Sequence, residues 1–497
     1  MRGAALLLSA ACAALTCPAV AQRPDMPNSN TSPPKFGASD RVEQLDSADG
    51  KFRIHYTRAG EHAVPSADAN ADGVPDFVQQ VAQEYAAVGA YYASELGFEP
   101  PLSDGDGRFD VYLLDFPTSS DGEFRRENCL RDQPFRCTGY MLHENDFNGR
   151  NYPSLARATR ILASHEYFHA VQAGYDAEAG RVTGEGTAVW ASEQYDPTLT
   201  DLEGFVAGYL DNTERSLEQE PMGPFDQFSY GSSLFFQYLG ERYGRDVIRE
   251  LWEALRDQAE AGGSKTWPEV LDRVLVDAHD SSLGAAFTEF SSWNLFTGGR
   301  ADPERGYAGG AGYAELEVKG VSLPYEDDAL RVFPLAARFF SARVSQRGPV
   351  HLIVSGGAGD LGGVRLLLAR VAGAKIEDLK LTAADRERSL ELDEIAAGDT
   401  VFAAVINSRL TGESARPEVC LGACASAEPA PEDDGRDEGG GCRVGSASDG
   451  ASAAWLLGLL LLVLARRRRL QSGFHSPSGA SISAQRKRRF AGSPASL

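Results

Sequence analysis

At 497 residues the chain can hold two or three domains and a sizeable core. Its 71 acidic residues outnumber 48 basic ones, for a formal net charge of −23. That balance argues against a nucleic-acid partner and for a solubilised, exported protein.

The N-terminus, MRGAALLLSAACAALTCPAVAQ, carries one Arg, an apolar run and the triplet Ala19-Val20-Ala21. Residues 1–21 therefore read as a secretory signal peptide cut before Gln22. A lipoprotein-type cut at Cys12 or Cys17 is the alternative, though neither has a good lipobox before it. Residues 22–38 are rich in Pro, Asn and Ser and read as a disordered leader. KFRIHYT (51–57) alternates apolar and polar residues as a strand does, with His55 a structural strand residue.

In DANADGVPD (68–76), Asp68, Asn70, Asp72, Gly73 and Asp76 fall at positions one, three, five, six and nine of a calcium loop, and the Val74 carbonyl at seven. Position twelve holds Gln79 where an EF-hand needs a bidentate Glu. Two readings stay open: a partial Ca²⁺ loop, or an acidic turn at the start of the helix from Pro75 to near Gly97. DGDGRFDVYLLDF (104–116) is a turn followed by a strand. Cys129 and Cys137 sit eight residues apart in a loop-like segment and read as a disulfide in an oxidising compartment. GYMLHENDF (139–147) is a second strand, with His143 a strand residue.

ILASHEYFHAVQAGYD (161–176) has no Pro or Gly before Gly174 and reads as a helix. It contains His165-Glu166-Tyr167-Phe168-His169, an HExxH pattern. Histidines four residues apart lie one helical turn from each other on one face. Both imidazoles can then reach a single Zn²⁺, with Glu166 placed to deprotonate a bound water. The extended form HExxHxxGxxH is excluded, because Gln172 and Tyr175 replace its Gly and His. A glutamate from a following helix is the usual third ligand, and GEGTAVWASEQY (184–195) offers two. Glu185 suits the length of a turn and a return helix; Glu193, two turns on, is a rival or a supporting group.

Helical patterns continue over DLEGFVAGYLDNTERSLE, 231–243, 245–260, 267–278 and 282–296, with Trp252, Trp267 and Trp293 as their core. Residues 298–312 turn to Gly, Ala and Asp, as in a linker. From 313 to 424 short alternating strands predict an antiparallel β-sandwich without a catalytic constellation. Cys420 and Cys424 are a second candidate disulfide. Residues 425–441 form an acidic, Pro- and Gly-rich linker. Cys442 follows, then the apolar run 453–465 and Arg466 to Arg469; thirteen apolar residues are short for a membrane span. Residues 470–497 are a basic, low-complexity extension.

HEYFHAVQ followed by EGTAVWASE resembles the gluzincin arm of the zincin metallopeptidases. From about residue 50 to the tail the chain is similar to secreted myxobacterial metalloproteases that end in a MYXO-CTERM sorting tail. The resemblance implies an α+β, zincin-like catalytic domain (39–300) with an α-rich lower subdomain. It implies His165, His169 and Glu185 as zinc ligands and Glu166 as general base. Tyr230 resembles the tyrosine with which metallopeptidases hold the oxyanion. In zincin folds a strand beside the active-site helix holds substrate backbone, and 139–147 is the positional candidate. The tail, 442–469, implies processing at Cys442 and attachment to the membrane at the cell surface or outer membrane through that residue, with a plain membrane anchor through the tail, or release outside the cell, as alternatives. The chain's continuation past Arg469 departs from that pattern.

The expectation is a secreted, surface-anchored zinc metalloendopeptidase acting on protein or peptide substrates. Two other classes compete with it: a non-catalytic surface binding protein on the same scaffold, and a calcium-stabilised adhesin in which HExxH is incidental.

Overall fold

The computed structural model describes residues 23–25, 32–117, 120–220, 226–356, 361–382 and 387–424. The signal peptide, the acidic linker, Cys442, the 453–465 run and the extension from 470 lie outside these residues. Among the described residues no helix is long and apolar enough to cross a membrane.

The fold is mixed α and β. Its first part is a five-stranded sheet of β1 (Glu43–Asp46), β2 (Phe52–Tyr56), β3 (Phe109–Leu114), β4 (Gly122–Cys129) and β5 (Cys137–Glu144). The order is β1-β2-β3-β5-β4, with β2, β3 and β5 parallel and β4 antiparallel to β5. Helix α1 (Asp76–Ser94) is the crossover between β2 and β3. The alternation along β3 sorts its side chains onto two faces. Val111 and Leu113 join the main core, while Tyr112 and Leu114 join a smaller one with Phe36, Phe116, Tyr140 and Leu142.

Two expectations are corrected here. The segment before Cys129 is strand β4, and the disulfide Cys129–Cys137 joins register partners at the end of the β4–β5 hairpin. Residues 139–144 belong to β5, an interior strand with both edges paired, and β4 is the edge strand. GEFRRENC carries too many charges to announce a strand; its exposed edge position accommodates them. The leader is also not free over its described residues. Phe36 is buried on the back of the sheet, and the Arg125 guanidinium donates to the carbonyls of Ser32 (2.8 Å) and Pro33 (3.2 Å).

The helical part follows: α2 (Leu155–Tyr175), α3 (Arg181–Tyr195), α4 (Asp201–Leu210), α5 (Gln227–Gly231), α6 (Ser233–Tyr243), α7 (Asp246–Glu260), α8 (Trp267–Ala278) and α9 (Leu283–Trp293). Trp252 and Trp267 are buried in its core and Trp293 packs at the margin. Helix α4 ends at Leu210, where Asn212 Nδ2 donates to the Gly208 carbonyl, so the helix expected on to residue 218 stops early.

Residues 298–312 are no loose linker. Tyr307 is fully buried and its hydroxyl donates to Asn294 Oδ1 at 2.7 Å. Beyond them lie β6 (Lys319–Val321), β7 (Tyr325–Asp327), β8 (Ala336–Arg343), β9 (Gly348–Ser355), β10 (Val364–Ala372), β11 (Lys375–Leu381), β12 (Ser389–Ile395), β13 (Thr400–Asn407) and β14 (Glu418–Gly422). They form two sheets, β11-β10-β13-β8-β6 and β12-β9-β14-β7, antiparallel except for the β6–β8 pair. Leu366, Leu368 and Val405 from one sheet and Leu352, Leu392 and Leu421 from the other share a core. A second disulfide joins Cys420 to Cys424.

The sandwich is not set apart from the helices. Ala337, Phe339, Leu367, Ala369, Phe402 and Ile406, on the other face of β8, β10 and β13, lie in the main core with α9 and α5. Those strands read as near-continuous apolar runs because both of their faces are buried.

Candidate metal centre

Helix α2 starts at Ser154, whose hydroxyl accepts the Arg157 amide at 3.2 Å and caps an otherwise unpaired donor. Its rear is pinned by packing and charge. Phe168 is fully buried against Tyr92 and Phe98, and Tyr92 donates its hydroxyl to the Ser164 carbonyl at 2.8 Å. Arg160 bridges Glu84 on α1 and Asp196 at the end of α3, each at 2.9 Å. The HExxH face is thereby turned away from α1 and toward α3.

The return into α3 uses Gly180 at φ 93°, a left-handed conformation that costs a residue without Cβ little. Gly186 is needed for a different reason. A Cβ there would lie 2.4 Å from Ser232 Oγ and 2.6 Å from the Phe236 ring, so its absence lets α3 press against α6 beside the site.

These two helices bring three ligand atoms together. His165 Nε2 lies 3.2 Å from His169 Nε2 and 3.2 Å from Glu185 Oε2, and His169 Nε2 lies 3.4 Å from that same oxygen. Three donors bound tetrahedrally at zinc distances sit about 3.3 Å apart, so the triangle has the dimensions of one face of a zinc tetrahedron. Among the described residues it is the one group of His, Cys, Asp or Glu drawn close enough to hold an ion. Glu193 is not part of it.

Gln172, which sequence reasoning met only as a missing Gly, has a defined part. Its Oε1 accepts from His169 Nδ1 at 2.8 Å, which leaves Nε2 as the ring nitrogen facing the ligand triangle. Its Nε2 donates to the Gly184 carbonyl (2.8 Å) and to Thr187 Oγ1 (2.9 Å) on α3. One amide thus orients an imidazole and ties α2 to the helix carrying Glu185. The available signal was its spacing, one turn after His169. Gln172→Leu is expected to weaken zinc binding about 10- to 100-fold, as loss of a partner to a metal-bound histidine does, measured by chelator competition.

Burial disfavours charge on both His169 and Glu185, and their mutual attraction reverses it. His169 is pushed up to about 9 by Glu185 and Glu166 against that burial. Glu185 is held far below the usual carboxylate range by His169 and His165, again against burial. Such coupling belongs to a preformed cluster of opposite charges.

Glu166, the residue beside His165, has its Oε2 held by the Phe124 amide at 3.1 Å. That amide points outward from β4 toward α2, so the edge strand and the HExxH helix meet at Glu166. Tyr230, on α5, stacks on His165 with ring centroids 5.7 Å apart and 16° between planes, and Phe205 backs it at 4.9 Å. Burial first, then the carboxylates of Glu185 and Glu166, push its hydroxyl above the ordinary tyrosine range. The phenol stays protonated and able to donate.

No protein-family model matches the chain, and no curated protein is significantly similar to it. The functional reading rests on the chemistry of these residues.

Glu193 lies among Glu203, Asp201 and Asp196, and among the described residues its buried Oε2 has no hydrogen-bond partner. Burial and those like charges push it up to about 8. Its pKa in the folded state exceeds that of the unfolded chain. The stability it contributes is therefore full at acid pH and is lost as pH rises through about 8. Glu193→Gln, which stays neutral, should melt like the wild type at pH 5 and higher than it at pH 9, on the order of 2 °C. An equal difference at both pH values would refute this ionisation.

The 68–76 loop is folded on itself. Asp68 accepts the amides of Asp72 (3.2 Å) and Gly73 (2.9 Å), and Asp76 accepts that of Ala69 (3.1 Å). Asp72 accepts the Val74 amide at 2.9 Å, Asn70 Nδ2 at 3.0 Å and Gln79 Nε2 at 2.6 Å. The loop leads into α1, and Gln79, at position twelve, donates to Asp72.

The two strand histidines named from sequence, His143 and His55, stand apart from the His165–His169–Glu185 group. His143 is fully buried on β5 and its Nδ1 donates to the Glu144 carbonyl at 2.7 Å. His55 Nε2 bonds Asp110 at 2.7 Å on the back of the sheet.

Proposed function

We propose that the chain is an exported zinc metallopeptidase of the zincin type, gluzincin-like in taking its third ligand from the helix after HExxH. The observation that carries the reading is the ligand triangle of His165, His169 and Glu185, with Glu166 next in sequence and held by the Phe124 amide. Zinc bound there would supply Lewis acidity and make a coordinated water acidic near neutral pH.

The residues of the chain would do the rest. Glu166 takes the proton of the attacking water and passes it to the leaving amine. The protonated Tyr230 hydroxyl, beside His165, is the donor for the developing oxyanion. The substrate backbone would add to β4, the edge strand, whose Phe124 amide already touches Glu166; this replaces the 139–147 segment expected from sequence. The sequence features that resemble a signal peptide and a MYXO-CTERM tail support a cell-surface location.

The test is zinc content together with peptidase activity of the purified chain on a mixed peptide library. One zinc per chain with chelator-sensitive cleavage supports the reading. Zinc without cleavage of any peptide would favour the binding protein on the same scaffold. A folded chain that takes up no zinc would reject the peptidase and leave the binding protein standing.

A further inference from the structure

The back of the five-stranded sheet, away from the metal centre, carries a second charged cluster. Asp110 projects there from β3 and Glu127 from β4, and Asp104 comes from the turn before β3. Asp110 and Glu127 are 3% and 5% exposed, a placement acidic side chains adopt only when paired. What pairs them is Arg23. Its Nε and Nη2 take both oxygens of Glu127, at 2.8 and 2.9 Å, in the bidentate fork a guanidinium makes with a carboxylate. Its Nη1 reaches Asp110 at 2.5 Å and its Nη2 also reaches Asp104. His55 completes the floor, bonded to Asp110 at 2.7 Å, stacked on Tyr112 at 4.2 Å and 3.6 Å from Asp25.

The place where Arg23 takes hold matters. Strands β3 and β4 do not touch, because β5 lies between them. The β4–β5 ladder also lapses between Arg126 and Cys129, and Glu127 falls in that lapse. Arg23 therefore spans β5 and ties the weak stretch of the edge strand to β3. Two residues earlier on β4, Arg125 holds Ser32 and Pro33 of the same leader, and its neighbour Phe124 holds Glu166 on the opposite face.

We propose that Asp104, Asp110 and Glu127 form a guanidinium-binding socket, filled from within the chain by Arg23, and that this makes the leader a clasp bracing β4. The inference concerns the socket and the strand, and it stands or falls independently of zinc and catalysis.

The test uses the full chain with Arg23→Ala and Arg23→Lys, read by hydrogen exchange of the β4 amides, with zinc content as a control. Arg23→Ala is expected to exchange over 122–129 about ten- to a hundredfold faster than the wild type. Millimolar methylguanidinium should restore protection saturably, while ammonium and sodium chloride at equal ionic strength should not. Arg23→Lys keeps the charge and loses the fork, so it should lie between the two and covers the case in which the Ala variant does not fold. Unchanged β4 exchange in Arg23→Lys would overturn the clasp. Rescue equally good with ammonium, or none with methylguanidinium, would overturn the guanidinium socket.

Discussion

His165→Ala and Glu185→Ala, each made in the full chain, are expected to reduce bound zinc from one per chain to none at ordinary metal concentrations. Glu193→Ala should keep it. The three ligand atoms lie 3.2 to 3.4 Å from one another, and each is held by a separate constraint: α2, the turn at Gly180, and the Gln172 bridge to α3. Removing one leaves two donors, too few to compete with water. Spreading the binding energy of a structural zinc over its ligands gives roughly 3 kcal/mol for each, or two to three orders of magnitude in affinity. Elemental analysis after dialysis reads the outcome. Zinc retained in Glu185→Ala and lost in Glu193→Ala would transfer the third ligand to Glu193 and reject the geometry described here.

Glu166→Gln is expected to bind zinc and melt as the wild type does, and to lose turnover by about 10²- to 10⁴-fold, the range for removing a general base. The substitution is well suited to the site. A Gln amide oxygen can still accept the Phe124 N–H that now meets Glu166 Oε2 at 3.1 Å, so the helix and the edge strand keep their contact. What disappears is the group that can carry a proton. The effect belongs in kcat with KM little changed, because Glu166 is not counted on for holding the peptide. Full activity in this variant would reject Glu166 as base, whatever the metal content.

Zinc content and turnover test the reading at different depths. A chain that binds zinc through His165, His169 and Glu185 but cleaves nothing would be a scaffold, with the edge strand β4 as its binding surface. Loss of both properties on changing Glu185 would join metal and chemistry at one site.

How much of this could be read from sequence varied with the range of the interactions involved. The HExxH spacing and the helical pattern around it are local, since an imidazole pair one turn apart follows from helix geometry alone. The glutamate was narrowed to two candidates by the length of chain needed to turn and return. The disulfide Cys129–Cys137 followed from spacing and compartment. The helices of the lower part and most strands of the sandwich declared themselves by apolar period.

Other features had no local signal. Strand β4 is polar because it is an edge, and only its pairing with β5 identifies it. The leader looks disordered by composition, yet Arg23 and Phe36 fill needs created by β3 and β4, more than seventy residues away in sequence. Residues 298–312 look like a linker because Gly and Ala permit the close packing that Tyr307 completes.

By itself, then, the sequence determined the chemistry available to this protein: two imidazoles on one helical face with a carboxylate beside them, and a glutamate not far behind. Only the tertiary structure decided which glutamate meets them, which strand borders them, and what holds that strand. Those choices depend on contacts between distant segments, where burial and charge pairing favour one partner among several that local pattern leaves equal.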